Sequence, residues 1–427
     1  MADRRTVADR LAAALGAVLG ATELPIRLRG WDGSLSGPAG APVVAVHSRR
    51  ALRRMLWSPG QLGLGRAYVA GEIDVEDDVF ATFAALRSAG RLVQDGPASE
   101  ITWRERLALL GTAVRLGAIG PEPAPPVEEA DLGRKGRQHS RARDAAAIAH
   151  HYDVGNDFYE LVLGPTMVYS CAVWATPETG LDAAQEAKLD LVCRKLGLTP
   201  GARLLDVGCG WGSMAIHAAQ RYGATVVGIT LSEEQARLAR KRVAEAGLTD
   251  KVDIRVQDYR AVDDGPFDAI SSIGMAEHVG RAQMPGYVSR LTSLLRPGGR
   301  LLNHAIAWNA GTSTWDPDTF ISRYVFPDGE LLGLGEMVGL LESRELEVLD
   351  VEALRQHYAL TLRAWVANLE ANWDAAVAAS SEGRARVWRL YMAACALTFE
   401  AGDMGVDQVL LQKTGGAPPP LRRDAWT

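Results

Sequence analysis

Long apolar runs are missing from this 427-residue chain. No uninterrupted stretch reaches the length that a bilayer-spanning helix needs. Positive charge is in deficit: 46 Lys and Arg stand against 52 Asp and Glu, a net charge of −6. That balance argues against a nucleic-acid partner held by global electrostatics, although a local basic patch stays open. Cysteine is scarce, with Cys171, Cys193, Cys209 and Cys395 the only four. None stands in a CxxC pair or near a histidine at zinc-finger spacing, so no metal site is expected. Thiols in a reducing cytoplasm are the simplest reading. Internal repeats and extended low-complexity segments are also lacking.

What is present suffices for two domains. Hydrophobic residues make up 47% of the chain, enough for full cores. The first 25 residues fit an amphipathic helix, with Leu11, Leu15, Val18 and Leu19 on one face. A signal peptide fits less well, because Asp3, Asp9 and Arg10 interrupt it. Residues 1–118 read as a small α/β unit, with strands near 25–28 and 43–47 and helices near 49–57 and 77–89. A linker over 119–143 opens Pro-rich and acidic and turns basic at Arg134, Lys135, Arg137, Arg141 and Arg143. The basic run reads either as a solvated tether or as a contact to anionic lipid headgroups.

From residue 144 strands alternate with helices, which implies an α/β fold with a doubly wound parallel sheet. Strands are expected at 204–207, 225–229, 252–256, 267–271 and 300–305. Ligands bind such sheets at the carboxyl ends of the strands. The first strand runs LLDVGCGWG, so Asp206 precedes Gly208, Gly210 and Gly212. Glycines there let a ligand press against bare backbone. The second strand ends in Thr230, Leu231 and Ser232, with Gln235 one turn on. No acidic residue stands about twenty positions after the glycines, which argues against an ordinary NAD site. Asp258, with Tyr259 after the third strand, reads either as an acceptor for an adenine amino group or as a turn residue.

Motifs spread over most of the chain resemble the cyclopropane-fatty-acid synthase family of S-adenosylmethionine-dependent methyltransferases, which includes the mycolic acid modifying enzymes. They are HHYDVGNDFYELVLGPTMVYSCAVW from His150, LDVGCGWG, ITLSEEQ, MAEHVG from Met275, LLNHAI from Leu301, RYVFPDGEL from Arg323, HYALTLRAW from His357 and YMAACALTFEAGDMGVDQV from Tyr391. LGLGRAYVAGEIDVEDD, from Leu64, is similar to the family's smaller leading domain. The resemblance implies a class I methyltransferase domain over 144–427. It implies that Tyr169, Ser170, Gly208, Gly210, Thr230, Leu231 and Gln235 contact S-adenosylmethionine.

It also implies the reaction: methyl transfer to a cis double bond of a lipid acyl chain, through a carbocation that must lose a proton. The product is a cyclopropane, or a methylene- or methyl-branched chain. A strong protein base beside a sulfonium risks methylation, and the resemblance implies bound bicarbonate instead, cradled by Cys171, Glu277, His304, Ile306 and Tyr358. In that picture the amides of Cys171 and Ile306 hold the anion, and Glu277 pairs with His304. Read without the resemblance, Cys171 is a small buried hydrophobe and His304 a core histidine. Cys395 matches a cysteine considered as a nucleophile, or is simply buried by its helix. Tyr169, Trp174, Tyr324, Phe326 and Trp365 are candidates to face the cation. Residues 307–345 are a candidate lining for an acyl tunnel, or a plain connection.

The resemblance further implies an unsaturated phospholipid substrate, presented at an anionic membrane surface on the inner face of the membrane by a cytoplasmic, peripheral protein. A flavin-dependent reductase would serve the branched product, and a homo-oligomer stays open. Two other readings compete: a methyltransferase of another small molecule, and an inactive lipid-binding relative.

Overall fold

The structure is a computed structural model that describes residues 5–19, 21, 23–58, 60–88, 103–129, 143, 155–308, 318–342 and 345–426. The chain divides into two units. One holds Met1–Asp131, Pro317–Val325 and Ser381–Leu397; the other holds Leu132–Asp316, Phe326–Ser380 and Thr398–Thr427.

The first unit contains α1 (Val7–Leu19), β1 (Arg27–Arg29), β2 (Leu35–Ser36), β3 (Val43–Val46), α2 (Arg49–Trp57), α3 (Gln61–Val69), β4 (Ile73–Val75), α4 (Val79–Ser88) and α5 (Trp103–Arg115). Its strands form one sheet in the order β2-β1-β3-β4. Leu11, Leu24, Ile26, Leu28, Val46 and Leu52 build its core. The Pro-rich segment expected to act as a linker is bound within this unit. Proline supplies no N–H, so the carbonyls of such a stretch need donors from elsewhere. Arg53 donates to the carbonyls of Ala118 and Ile119, and Arg54 donates to that of Ala124 at 2.7 Å. Arg66 grips Glu129 through two nitrogens at 2.7 and 2.6 Å. Two later segments also belong here: Arg386 pairs with Asp74, and the Tyr324 hydroxyl donates to Glu129.

The second unit runs through α6 (Asn156–Leu163), α7 (Leu181–Leu196), β5 (Arg203–Val207), α8 (Ser213–Tyr222), β6 (Thr225–Thr230), α9 (Glu233–Glu245), β7 (Val252–Val256), β8 (Phe267–Ile273), α10 (Met284–Leu294) and β9 (Leu295–Trp308). After α11 (Phe320–Tyr324), which falls to the first unit, come α12 (Leu334–Glu342), β10 (Leu346–Ala353), α13 (Arg355–Ala371), α14 (Trp373–Ala379), α15 (Glu382–Ala401), of which the part up to Leu397 falls to the first unit, and β11 (Met404–Lys413). The sheet order is β10-β11-β9-β8-β5-β6-β7. Five strands are parallel, as the alternation predicts. β11 inserts antiparallel between β9 and β10; β10 and β11 are the two strands that the βαβ pattern does not announce. Leu204, Ala269, Leu302 and Leu410 pack on one face with Val192, Cys193 and Leu196 of α7. Leu205, Ile270, Leu301 and Leu411 pack on the other with Val288 and Leu291 of α10. Strand residues two positions on keep the same face, so Asp206, Ser271, His304 and Gln408 all lie on the α7 side.

Candidate active site

The glycine turn after β5 uses each glycine differently. Gly208, Gly210 and Gly212 all have positive φ, at 78°, 54° and 81°. The amides of Gly208 and Cys209 both donate to the Ile229 carbonyl at the end of β6, at 3.0 and 2.9 Å. At Gly212 a Cβ would meet Ala239 of α9 at 3.2 Å, whereas at Gly210 it would meet nothing within 4 Å. Gly210 therefore offers bare backbone to open space, as a ligand-binding turn requires.

After β6, the Thr230 hydroxyl donates to Gln235 Oε1 at 2.7 Å and accepts from the Ser232 amide. Ser232 caps α9 by accepting from the Gln235 amide. Thr230 and Gln235 thus hold each other, with Leu231 half-buried between them. Asp258 caps the short turn that follows β7 and pairs with Arg260 at 2.6 Å. The Tyr259 ring stands edge-on to Tyr287 in the core, 4.8 Å between centroids, which makes it a packing residue. Asp206 is 2% exposed, and its Oδ1 accepts from Ser271 Oγ at 2.7 Å. It lies beneath the turn rather than on its surface, and burial pushes its carboxyl up to about 6.

Residues 164–174 cross this region with no helix or strand, yet Ser170, Cys171 and Ala172 are buried. Buried irregular backbone must find partners among side chains. Gln185 Nε2 donates to the carbonyls of Val168 and Ser170, and Lys188 Nζ donates to Ser170 Oγ at 2.9 Å. On the other side Thr361 Oγ1 accepts from the Ala172 amide and His357 Nδ1 from the Trp174 amide. Cys171 Sγ points at the carbonyls of Ala172 and Leu354, and burial raises its thiol pKa steeply. It is no nucleophile in that state.

Glu277 sits in a 3-10 turn after β8. Its Oε1 accepts from the Ile306 amide at 2.7 Å, and its Oε2 is buried without a partner. Burial pushes the carboxyl up to about 7, against the pull of the amide. His304, on β9, faces Gln408 of β11 through the strand register, and Gln408 Nε2 meets His304 Nδ1 at 3.2 Å. His304 Nε2 is buried and unpartnered. Burial, with Lys188 and Lys195 nearby, lowers the imidazole to about 3 and keeps it neutral. Two expectations are corrected here. Glu277 and His304 are not bonded to each other, and the Ile306 amide serves Glu277 instead of an anion. A carboxylate this deeply buried needs a donor, and the Ile306 amide of β9 supplies one. With Nδ1 accepting from Gln408, the ring proton sits on Nε2, which makes that nitrogen a donor.

Aromatic rings link the glycine turn to this cluster. Trp211 contacts Tyr159 at 4.8 Å, Tyr159 contacts Tyr169, and Tyr169 contacts Trp365 at 5.3 Å. Trp365 then meets Tyr358, which meets Phe399. Trp174 instead gives its indole N–H to Thr361, and Phe326 packs edge-on to His278. Tyr324 stacks on Phe320 within the first unit. Cys395 is half-buried on the part of α15 assigned to that same unit.

Sequence reasoning missed Gln185, Lys188, Ser271 and Gln408. A signal for the first two was present. They fall on the apolar stripe of α7 with Leu189, Val192 and Leu196, where a polar residue must be buried. Gln408 gave no signal, because β11 was not read as a strand.

The fold and the site together define a class I methyltransferase. Residues 139–409 match the family model described as mycolic acid cyclopropane synthetase. A probable fatty acid methyltransferase of Mycobacterium tuberculosis is 42% identical, over 93% of this chain and 94% of its own length. The cyclopropane-fatty-acyl-phospholipid synthase of Escherichia coli is 38% identical, over 62% of this chain and 66% of its own. The crystal structure of mycolic acid cyclopropane synthase CmaA1, complexed with SAH and CTAB, is similar at a TM-score of 0.59 and 35% identity, covering 63% of this chain and 98% of that one. This chain belongs to the mycolic acid cyclopropane synthetase family.

Proposed function

We propose that the chain transfers a methyl group from S-adenosylmethionine to the cis double bond of an unsaturated phospholipid acyl chain. The carbocation so formed must lose a proton, and a bicarbonate held by the residues named below would supply the base for it. The product is a cyclopropane or a methylene- or methyl-branched chain. The observation that carries this reading is the pair of buried groups that lack a hydrogen-bond partner among the described residues, Glu277 Oε2 and His304 Nε2. One is an acceptor when ionised and the other a donor, and a hydrogen-carrying anion satisfies both.

The open backbone at Gly210 and the segment through Tyr169 and Ser170 fit a nucleoside-bearing cofactor. S-adenosylmethionine would supply the methyl group there. Glu277 and His304, with Cys171 and Tyr358, would hold the bicarbonate and orient it toward the acyl chain. Rings such as Tyr169 and Trp365 would stabilise the cationic carbon, each by about 0.5–2 kcal/mol. The phospholipid part of the reading rests on the likeness to the Escherichia coli synthase. The methyl-branched outcome requires two further electrons from a separate reductase, of flavin-dependent type; the cyclopropane does not.

Membrane contact at an anionic surface is part of the proposal, with a narrower basis than the sequence alone suggests. Arg143 is engaged by Asp328 through two short bonds at 2.6 and 2.7 Å. Arg134, Lys135, Arg137 and Arg141 lie outside the described residues. Among the described residues no helix is long and apolar enough to cross a membrane. Expression of the chain in cells rich in unsaturated phospholipid, with mass spectrometry of the lipids, tests the function. Gain of one CH2 on an acyl chain is expected; unchanged lipids, with methylation of a small molecule instead, would favour the competing methyltransferase reading.

A further inference from the structure

Lys188 is 1% exposed, and among the described residues its one hydrogen bond goes to Ser170 Oγ, a neutral acceptor. Burying an ammonium is costly, and a purely packing role at this position would be met by an apolar side chain of similar volume without that cost. Packing alone therefore does not account for a lysine at this position. Its surroundings do. One turn of α7 clamps residues 168–171 from a single face, Gln185 on the carbonyls of Val168 and Ser170 and Lys188 on the Ser170 hydroxyl. The charge of the same ammonium is felt at Asp206 of β5, Cys171, His304 of β9 and His217 of α8, while Lys195 of its own helix also acts on His304.

We propose that Lys188 is a positioning residue: it holds the Tyr169–Ser170–Cys171 segment against the glycine turn and supplies the one charge shared by the cofactor and anion sides of the site. This rests on the cofactor site proposed above. Its ammonium partly offsets the burial of Asp206 beneath the turn, and its field adds to the burial that keeps the His304 imidazole neutral. Burial lowers Lys188 to about 8, with Cys171 and Asp206 acting in the opposite direction. The clamp is therefore charged below that pH and neutral above it.

The test compares wild-type protein with Lys188→Met and Ser170→Ala, using calorimetric titration with S-adenosylhomocysteine between pH 6.5 and 9.5, thermal melting and turnover on unsaturated phospholipid. Wild-type affinity should fall as pH rises through about 8. Lys188→Met should still fold and melt cooperatively, bind about tenfold more weakly and show no such alkaline fall. Ser170→Ala should lose affinity but keep the alkaline fall, because the ammonium remains. A Lys188→Met protein that binds like wild type, keeps the alkaline fall or fails to fold would overturn the proposal. Wild-type protein that does not bind the nucleoside at all would overturn the cofactor site itself, and with it this inference.

Discussion

Glu277 has two oxygens with two tasks. Oε1 takes the Ile306 amide, which anchors the side chain to β9, and Oε2 stays buried and open. Glu277→Gln keeps an oxygen for the amide but cannot present a second acceptor. Turnover should drop about a hundredfold or more while cofactor affinity stays at the wild-type level; equal turnover would remove Glu277 from the anion cradle. Because burial raises its carboxyl to about 7, the charged form is the one that folding disfavours. The stability from this group is complete below its unfolded value and is lost as pH rises through about 7. Melting curves should therefore show wild type losing ground to Glu277→Gln between about pH 5 and 8. Parallel curves would contradict the burial. The residue types at Glu277 and His304 were legible from motif and strand position. Their partners were not, since a donor such as the Ile306 amide or Gln408 is known only once strand register is fixed.

At the scale of elements, the glycine turn and β11 do the positioning. Gly210 is held at a φ of 54° facing open space, so a valine there is both strained and in the way of a ligand. Gly210→Val should abolish cofactor binding by calorimetry, and unchanged affinity would sink the assignment. β11 brings Gln408 to His304 by direct cross-strand pairing. Gln408→Leu removes the group that fixes the imidazole tautomer, and turnover should fall about tenfold or more with cofactor affinity little changed. The five parallel strands were readable because each falls between helical patterns in a regular strand–helix alternation. β11 was hidden because Asp407 and Gln408 break its apolar run, although both are buried. The polar pair that obscured the strand in sequence is part of what the strand contributes.

For the whole molecule, sequence order and spatial unit do not coincide. Residues 317–325 and 381–397 join the N-terminal unit, a grouping that no linear boundary can express. The Pro-rich stretch reads as a tether by composition, yet arginines of α2 and α3 fasten it. With Arg143 engaged by Asp328, neutralising Arg134, Lys135, Arg137 and Arg141 together should weaken sedimentation with anionic vesicles at low salt. Equal binding would return the run to a solvated segment. The central claim is methyl transfer to an acyl double bond. Its most direct measurement is mass spectrometry of an unsaturated phospholipid incubated with the purified protein and S-adenosylmethionine carrying a labelled methyl group. One labelled carbon added at the former double bond, located by fragmentation, is expected, with loss of the olefin or its conversion to a branch. Label found on a headgroup or on another molecule, with the double bond intact, would contradict it.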